Sequence, residues 1–307
     1  MTMPLPPFSL EQPTTLEALV ALASQPDSRI LAGGTDLLPS MKHRIFEPKT
    51  LISIRKVPEL HGIACLEDGV DIGAACTLDE IRRHPTIQQR YPALRHACST
   101  VATSTLQGMA TLGGNLMLDT RCIFYNQPQG WRTAIGGCLK CEGQTCHVVM
   151  TEKTCFAAHS ADTVPVLWLA GATVTLASST GSRIVAVRDL FEHEPDGRKW
   201  LAIQPGEVLT RVYLPNPAAS IAYRKVRVRG AIDYGVLLVA CQKWKGGARA
   251  VIGATGPKPI EVQTSNVEDL PEAAWRAVQP LNTHSTSTTW RKAMIRVMVR
   301  RVLAELE

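Results

Sequence analysis

"RILAGGTDLLPSMKHR", residues 29–44, passes from a short apolar run through two adjacent glycines into a helical pattern, and the strand-like "TLISI" (50–54) follows. Strand, glycine turn, helix, strand is the order of an α/β unit. The preceding "TTLEALVALAS" (14–24) supplies an amphipathic helix, with Thr14 and Glu17 at capping-box spacing and Leu16, Leu19, Val20 and Ala23 on one face. A second glycine pair stands at "TLGGNL" (111–116). Adjacent glycines lack Cβ, so the backbone can approach an anion closely and aim its N–H groups at it, with Thr35, Thr111 and Asn115 as added donors. One such turn is ordinarily just a tight connection; two suggest a phosphate cradle. Neither G-x-G-x-x-G nor G-x-x-x-x-G-K-[ST] occurs in the chain, which removes support for the Rossmann and P-loop nucleotide folds.

Between and beyond the glycine pairs the pattern continues. "GVDIGAAC" (69–76) reads as a strand and "TLDEIRRHP" (77–85) as a helix capped by Thr77 and Glu80, and 93–116 reads as one helix running into the second glycine turn. Residues 119–159 lose periodicity and gather cysteines and glycines, as expected of a metal-organised insertion. Periodicity returns with "TVPVLWLAGATVTLAS", "SRIVAVRDLF" and "EVLTRVYLP". The alternating "YRKVRVRGAIDYGVLLVACQKW" opens a third region as an antiparallel strand with "VRVR" on a solvated face. The C-terminal "TTWRKAMIRVMVRRVLAEL" reads as a helix with Trp290, Met294, Val297 and Met298 on its apolar side and Arg291, Lys292, Arg296 and Arg300 in solvent. The expected class is α+β, in three parts: 1–54, 55–214 with the insertion at 119–159, and 215–307.

At 307 residues, 45% hydrophobic and 20% charged, the chain can bury a substantial core. It contains no run of eighteen apolar residues, and its N-terminus has neither the basic nor the apolar region of a signal peptide, so a cytoplasmic protein with no membrane segment is expected. The net charge of +6 permits a nucleic-acid partner without implying one. In a reducing compartment nine cysteines argue against a disulfide framework. Cys65, Cys76, Cys98 and Cys241, isolated in apolar surroundings, read as buried small hydrophobes.

The other five are Cys122, Cys138, Cys141, Cys146 and Cys155, with His147 beside the fourth. The C-x2-C pair of Cys138 and Cys141 with His147 nearby suggests a zinc knuckle, and with it a zinc-containing nucleic-acid-binding protein, but the later spacings match only in part. Four thiolates from such a loop hold a 4Fe-4S cluster equally well. Spacing alone leaves the two open.

Taken in order, "LAGGTDL", "MATLGGNL", "SADTVPVLWLAGATV" and "YRKVRVRGAIDYG" resemble the FAD-binding subunit or domain of the xanthine oxidase family of molybdenum hydroxylases, over essentially the whole chain. The resemblance implies a family-type FAD-binding fold of two α/β subdomains, followed by a small C-terminal antiparallel sheet with helices. It implies FAD contacts at Leu31, Ala32, Gly33, Gly34, Thr35 and Asp36, at Thr111, Leu112, Gly113, Gly114 and Asn115, and at Asp162 and Lys225, with no catalytic residue in this chain. The inserted segment resembles that of the family's 4-hydroxybenzoyl-CoA reductase branch, which implies a 4Fe-4S cluster on Cys122, Cys138, Cys146 and Cys155 and departs from that pattern at Cys141. Also implied are a molybdopterin-containing large subunit, a small subunit with two 2Fe-2S clusters, a heterohexamer built as a dimer of heterotrimers, and ferredoxin as donor. Electrons would then serve the reductive dehydroxylation of 4-hydroxybenzoyl-CoA to benzoyl-CoA in anaerobic aromatic degradation. The alternative in the same family is the FAD subunit of an oxidative hydroxylase of the xanthine, aldehyde or CO dehydrogenase type.

Overall fold

The computed structural model describes residues 3–306. Its first layer is an α/β unit built from β1 (Ser9–Glu11), α1 (Leu16–Ala23), β2 (Ser28–Leu31), α2 (Leu37–Lys42) and β3 (Thr50–Ser53). The strands form a parallel sheet in the order β1-β3-β2. Leu19 and Val20 of α1 pack on Ile52 and Ile54, as the helical spacing requires. The helix begins one residue later than its capping-box pattern suggests, because Thr15, and not Thr14, accepts from the Ala18 amide at 3.2 Å.

The second layer comprises β4 (Ile63–Cys65), β5 (Gly69–Gly73), α3 (Leu78–Arg83), α4 (Pro85–Arg90), α5 (Pro92–Thr100), α6 (Ser104–Gln107), α7 (Leu112–Leu116) and α8 (Gln129–Ala134). It continues through α9 (Val164–Leu169), β6 (Thr173–Ser178), β7 (Gly181–Ala186), the hairpin of β8 (Phe191–Asp196) and β9 (Lys199–Leu201), and β10 (Val208–Pro215). Its five-stranded sheet runs β4-β5-β10-β6-β7 with every pairing antiparallel. This corrects the α/β expectation for the second subdomain. The connections β4–β5 and β6–β7 are hairpins, and β10 returns from far along the chain to close the sheet between them. Thr77 caps α3 with the full reciprocal pair to Glu80. The single helix expected over 93–116 is instead three. Thr100 ends the first, Ala102 takes φ 45°, and Thr103 caps the next by accepting from the Leu106 amide.

The third layer is a four-stranded meander, β11 (Ile221–Val226), β12 (Leu237–Trp244), β13 (Gly247–Gly253) and β14 (Ile260–Thr264), covered by α10 (Leu270–Ala277) and α11 (Thr288–Ala304). "VRVR" therefore leaves the strand at Val226 and enters a loop, where Val228 is exposed. The α11 face is also rotated from the expected one. Arg291, Ile295, Met298, Val299 and Val302 are buried, whereas Trp290 is exposed. Arg291 can sit inside because its guanidinium donates to the carbonyls of Val236 (2.9 Å), Leu281 (2.9 Å) and Ala254 (2.6 Å). Lys292 and Arg296 lie over the Trp275 ring of α10, leaving Arg300 as the exposed member of the expected basic face. The wholly buried α9 packs on β12 and β13 and joins the second and third layers. Among the described residues no helix is long and apolar enough to cross a membrane.

Candidate functional site

A cleft of about 1120 Å³ opens where the three layers meet, lined by Ala32 to Asp36 and, packed directly beside them, by Thr111, Gly113, Gly114 and Asn115. Its volume lies just above the range of about 300–1,000 Å³ for sites of drug-sized ligands, so it suits a larger one. Leu31 and Leu112 are outside these walls: Leu31 pairs with Ser53 in the first sheet, and Leu112 is fully buried.

Three of the four glycines are required by the fold itself, two by packing and one by backbone conformation. A Cβ on Gly33 would stand 1.7 Å from the Met109 carbonyl oxygen, and one on Gly113 would stand 2.9 Å from that of Ala74. Gly34 has φ +71°, which disfavours a side chain whatever the space. Gly114 differs. Beyond the Thr111 hydroxyl of its own turn, 3.0 Å away, its Cβ would meet only Ala32 at 3.8 Å, an ordinary contact. Gly114 is therefore the least constrained of the four, needing only a small shift of the Thr111 hydroxyl to admit a Cβ, yet it is glycine and exposed on the cleft wall. Thr111 caps α7 by accepting from the Gly114 amide at 3.0 Å. Asn115 accepts through Oδ1 from Thr163, from the amide at 3.2 Å and the hydroxyl at 2.7 Å, which fixes the side chain at the cleft.

Asp162 and Lys225 both line the cleft and form a buried pair, Nζ to Oδ1 2.9 Å, with side chains 6% and 2% exposed. Tyr223 donates to Asp162 Oδ1 at 3.0 Å, and Lys225 also donates to the Thr100 carbonyl at 3.2 Å. Burial and the adjacent Asp162 carboxylate hold the Tyr223 phenol well above its ordinary pKa, so it stays a donor.

The cysteine segment is anchored beside this cleft. Arg121 and Ala158 exchange backbone hydrogen bonds of 2.9 and 2.8 Å at its neck, and Cys122 is itself a cleft-lining residue. Cys122, Cys138 and Cys155 share an apolar cluster with Tyr125 and Ala157. A hydrogen bond from Cys155 to Cys146 lowers the Cys146 pKa below the ordinary thiol value and raises that of Cys155, while burial pushes Cys122 up to about 11. Four thiols are thus in one neighbourhood. Among the described residues, however, no three or more His, Cys, Asp or Glu side chains converge as a metal-binding group. That departs from the ligand set expected at Cys122, Cys138, Cys146 and Cys155, because the sulfurs are packed as thiols with apolar and hydrogen-bonded neighbours.

The structure also separates the remaining two candidates. His147 Nε2 is 2.6 Å from the Gly137 carbonyl, and its ring lies beside Phe124, which takes that nitrogen away from a zinc knuckle. Cys141 exchanges backbone bonds with Cys138, and its sulfur accepts from Arg132 Nε at 3.2 Å. Cys76, Cys98 and Cys241 are buried as expected, but Cys65 is exposed beside Thr86.

Sequence reasoning missed the charged floor between the cleft and the cysteines. Arg121, with a 6% exposed side chain, donates to Asp36 Oδ2 at 2.7 Å and to Ser40 Oγ at 3.0 Å. Tyr234 donates to the other Asp36 oxygen at 2.6 Å. Lys140, 7% exposed, holds Asp119 Oδ1 at 2.6 Å. The available signal was an acid or base within one to three residues of a cysteine, Asp119 and Arg121 before Cys122 and Lys140 after Cys138, in a segment without helical periodicity to place it in solvent.

Comparison with known proteins agrees with this architecture. Residues 6–217 match the family described as FAD binding domain in molybdopterin dehydrogenase. The aldehyde oxidoreductase FAD-binding subunit PaoB of Escherichia coli K12 is 29% identical over 309 residues, covering 95% of each chain. A putative xanthine dehydrogenase FAD-binding subunit of the same organism is 25% identical over 313 residues, covering 95% of this chain and 93% of that one. The structure of quinoline 2-oxidoreductase from Pseudomonas putida 86 superposes with a TM-score of 0.75 at 25% identity, covering 99% of this chain and 98% of that one. The chain belongs to the family of FAD-binding domains of molybdopterin dehydrogenases.

Proposed function

We propose that this chain is the flavin-bearing, electron-transfer subunit of a molybdenum hydroxylase complex, working with a molybdopterin-containing large subunit and a small subunit with two 2Fe-2S clusters in a dimer of heterotrimers. The observation that carries the reading is the pair of glycine turns packed side by side at the cleft, with Gly114 exposed on its wall where a Cβ would meet side-chain atoms and no backbone of another element. FAD, when bound, exchanges electrons singly or in pairs. The residues of this chain bind and orient it: Gly33, Gly34, Gly113 and Gly114 bring backbone close to the pyrophosphate, Thr35, Thr111 and Asn115 offer side-chain donors, and Ala32 and Asp36 flank the first turn. Asp162 and Lys225 neutralise one another and present a fixed polar edge to the cleft. Substrate chemistry belongs to a partner subunit. The test is Gly114→Val in the full chain: a folded protein with FAD affinity lowered at least tenfold supports the cradle, and unchanged affinity overturns it. Gly33→Val is unsuitable for this purpose, since its Cβ meets backbone and would disturb folding as well.

Within that reading, the relatives named for aldehyde and xanthine support an oxidative enzyme, in which electrons leave through the flavin to an acceptor. One observation favours the reductive branch. The five-cysteine segment meets the cleft at Cys122, where a 4Fe-4S cluster on Cys122, Cys138, Cys146 and Cys155 would pass single electrons at low potential. Ferredoxin would then be the donor, and 4-hydroxybenzoyl-CoA, two electrons and two protons would give benzoyl-CoA and water at the molybdenum subunit. Stopped-flow absorbance on the intact complex decides between them. Flavin reduction by reduced ferredoxin that disappears in a Cys155→Ser variant supports the reductive branch; rapid reduction by NADH, unchanged in that variant, returns the chain to the oxidative one.

A further inference from the structure

Asp36 stands at the N-cap position of α2, at the end of the first glycine turn, yet its carboxylate caps nothing. The sequence explains why. An N-cap side chain accepts from the second or third amide of its helix. Here the Leu38 amide is already given to the Gly34 carbonyl at 3.1 Å, and the next residue, Pro39, has no N–H. Both carboxylate oxygens are instead taken by residues from elsewhere in the fold. Arg121, at the neck of the cysteine segment, donates through one terminal nitrogen to Oδ2 at 2.7 Å and to Ser40 Oγ at 3.0 Å. Tyr234, in the loop between β11 and β12, donates to Oδ1 at 2.6 Å. Asp36, Ser40, Arg121 and Tyr234 all line the cleft. Arg121 also lies over the rings of Phe46 and Tyr125, 5.4 and 5.8 Å from their centres. Burial opposes the Arg121 charge, but the Asp36 and Asp119 carboxylates outweigh it and hold its pKa above the ordinary value. Burial and the Asp36 carboxylate raise the Tyr234 phenol in turn, so both residues remain donors.

This placement poses a charge problem whose sign follows from Coulomb's law. With FAD in the cleft, the glycine turn brings backbone to a doubly charged pyrophosphate. A carboxylate at the end of the same turn, with 28% of its side chain exposed, repels that group unless a cation neutralises it. We propose that Arg121 and Tyr234 are positioning residues of the flavin site, which neutralise and fix Asp36 so that the adjacent turn accepts the pyrophosphate. The same contact joins the three layers at the cleft: Asp36 comes from the first, Arg121 from the second and Tyr234 from the third. The inference rests on the assignment of FAD to the cleft and needs no metal on the cysteines.

The experiment measures FAD binding by calorimetry on the full chain freed of flavin, with thermal unfolding as the check on folding. Arg121→Met is expected to bind FAD at least about tenfold more weakly, because Asp36 then meets the pyrophosphate uncompensated. Removing the acid as well, in Arg121→Met/Asp36→Asn, is expected to recover most of that loss. Arg121→Lys should keep most of the affinity, since a single nitrogen makes both contacts and an ammonium can replace it. Tyr234→Phe keeps the ring and removes one donor, so it should weaken FAD binding by less than Arg121→Met. A loss in Arg121→Met that the double variant does not recover is a packing effect and overturns the proposal, as does unchanged affinity in Arg121→Met. If Arg121→Met does not fold, Tyr234→Phe decides: weaker binding by the folded variant supports the clamp, and unchanged affinity overturns it. A wild-type chain that binds no FAD overturns the reading of the cleft itself, an outcome distinct from a wild type that binds and variants that do not differ from it.

Discussion

Asp162 and Asp119 are both buried carboxylates facing cations near the cleft, and their surroundings differ. Asp162 receives Lys225 at 2.9 Å and Tyr223 at 3.0 Å, and the lysine has the Thr100 carbonyl as well. Asp119 is held on one oxygen by Lys140 at 2.6 Å, while its other oxygen faces Arg121 at 3.9 Å without a hydrogen bond. The first pair is made by the turn leading into α9, by β11 and by the end of α5, elements fixed by a continuous apolar core. The second lies in a segment with one short helix and a small apolar cluster of its own. Around Asp162, where regular elements supply the scaffold, the buried charge is fully paired; around Asp119, where they do not, the charges themselves tie the segment together and one contact stays unsatisfied.

The sharpest way to break the comparison is at the sulfurs. On the proposed 4Fe-4S assignment, Cys155→Ser is expected to abolish iron binding, since a hydroxyl is a poor ligand for iron of this kind, while Cys141→Ser retains it; iron and sulfide assays per chain read the difference. Equal iron in the two variants would remove the distinction between ligand and spare sulfur.

Asp162→Asn leaves Lys225 buried without its counter-ion. Breaking such a pair costs about 3–5 kcal/mol, so a large fall in the denaturation midpoint is expected. Asp119→Asn is expected to cost clearly less, because Arg121 retains Asp36 and Lys140 retains Thr120. Equal losses in the two variants would show that both regions tolerate uncompensated charge alike.

His159, at the exit of the cysteine segment, is 1% exposed, and neither ring nitrogen has a hydrogen-bond partner. Burial lowers its pKa to about 4, against about 6.5 in the unfolded chain. The unfolded state therefore binds the extra proton first. The stability due to the neutral ring is full above about pH 6.5 and is lost as pH falls toward 4, by about 3 kcal/mol. His159→Phe should flatten that part of the pH–stability curve, and an unchanged slope would place the acid sensitivity in the carboxylates.

The smallest effect lies away from both regions. Thr77→Ala removes the α3 cap and should cost about 1 kcal/mol in denaturant titration, leaving FAD and iron content unchanged.

Several features were legible in the residues. The glycine pairs, the amphipathic first helix and the Thr77 cap depend on near neighbours in the chain, where propensity and spacing act directly. Legibility failed where a partner lay far off in sequence. The segment 93–116 looked continuous because its residues suit a helix, but the tertiary path breaks it at Thr100, whose carbonyl receives Lys225 and Arg227. Arg291 looked solvated by its type, and four acceptors, two of them 55 and 37 positions away, put it inside.

By itself the sequence determined the α/β opening, the two glycine turns, the break in periodicity at the cysteines and the resemblance that joins them, because each is written in local spacing. The tertiary structure alone decided the antiparallel second sheet, since β10 must travel back to pair with β5 and β6. It also decided which glycine is least constrained by packing, and that Arg121 and Arg132 of the cysteine segment hold α2. Those outcomes rest on contacts between residues far apart in the chain, 140 positions where Arg211 of β10 meets Asp71 of β5, set by how the layers close on one another, which no local pattern encodes.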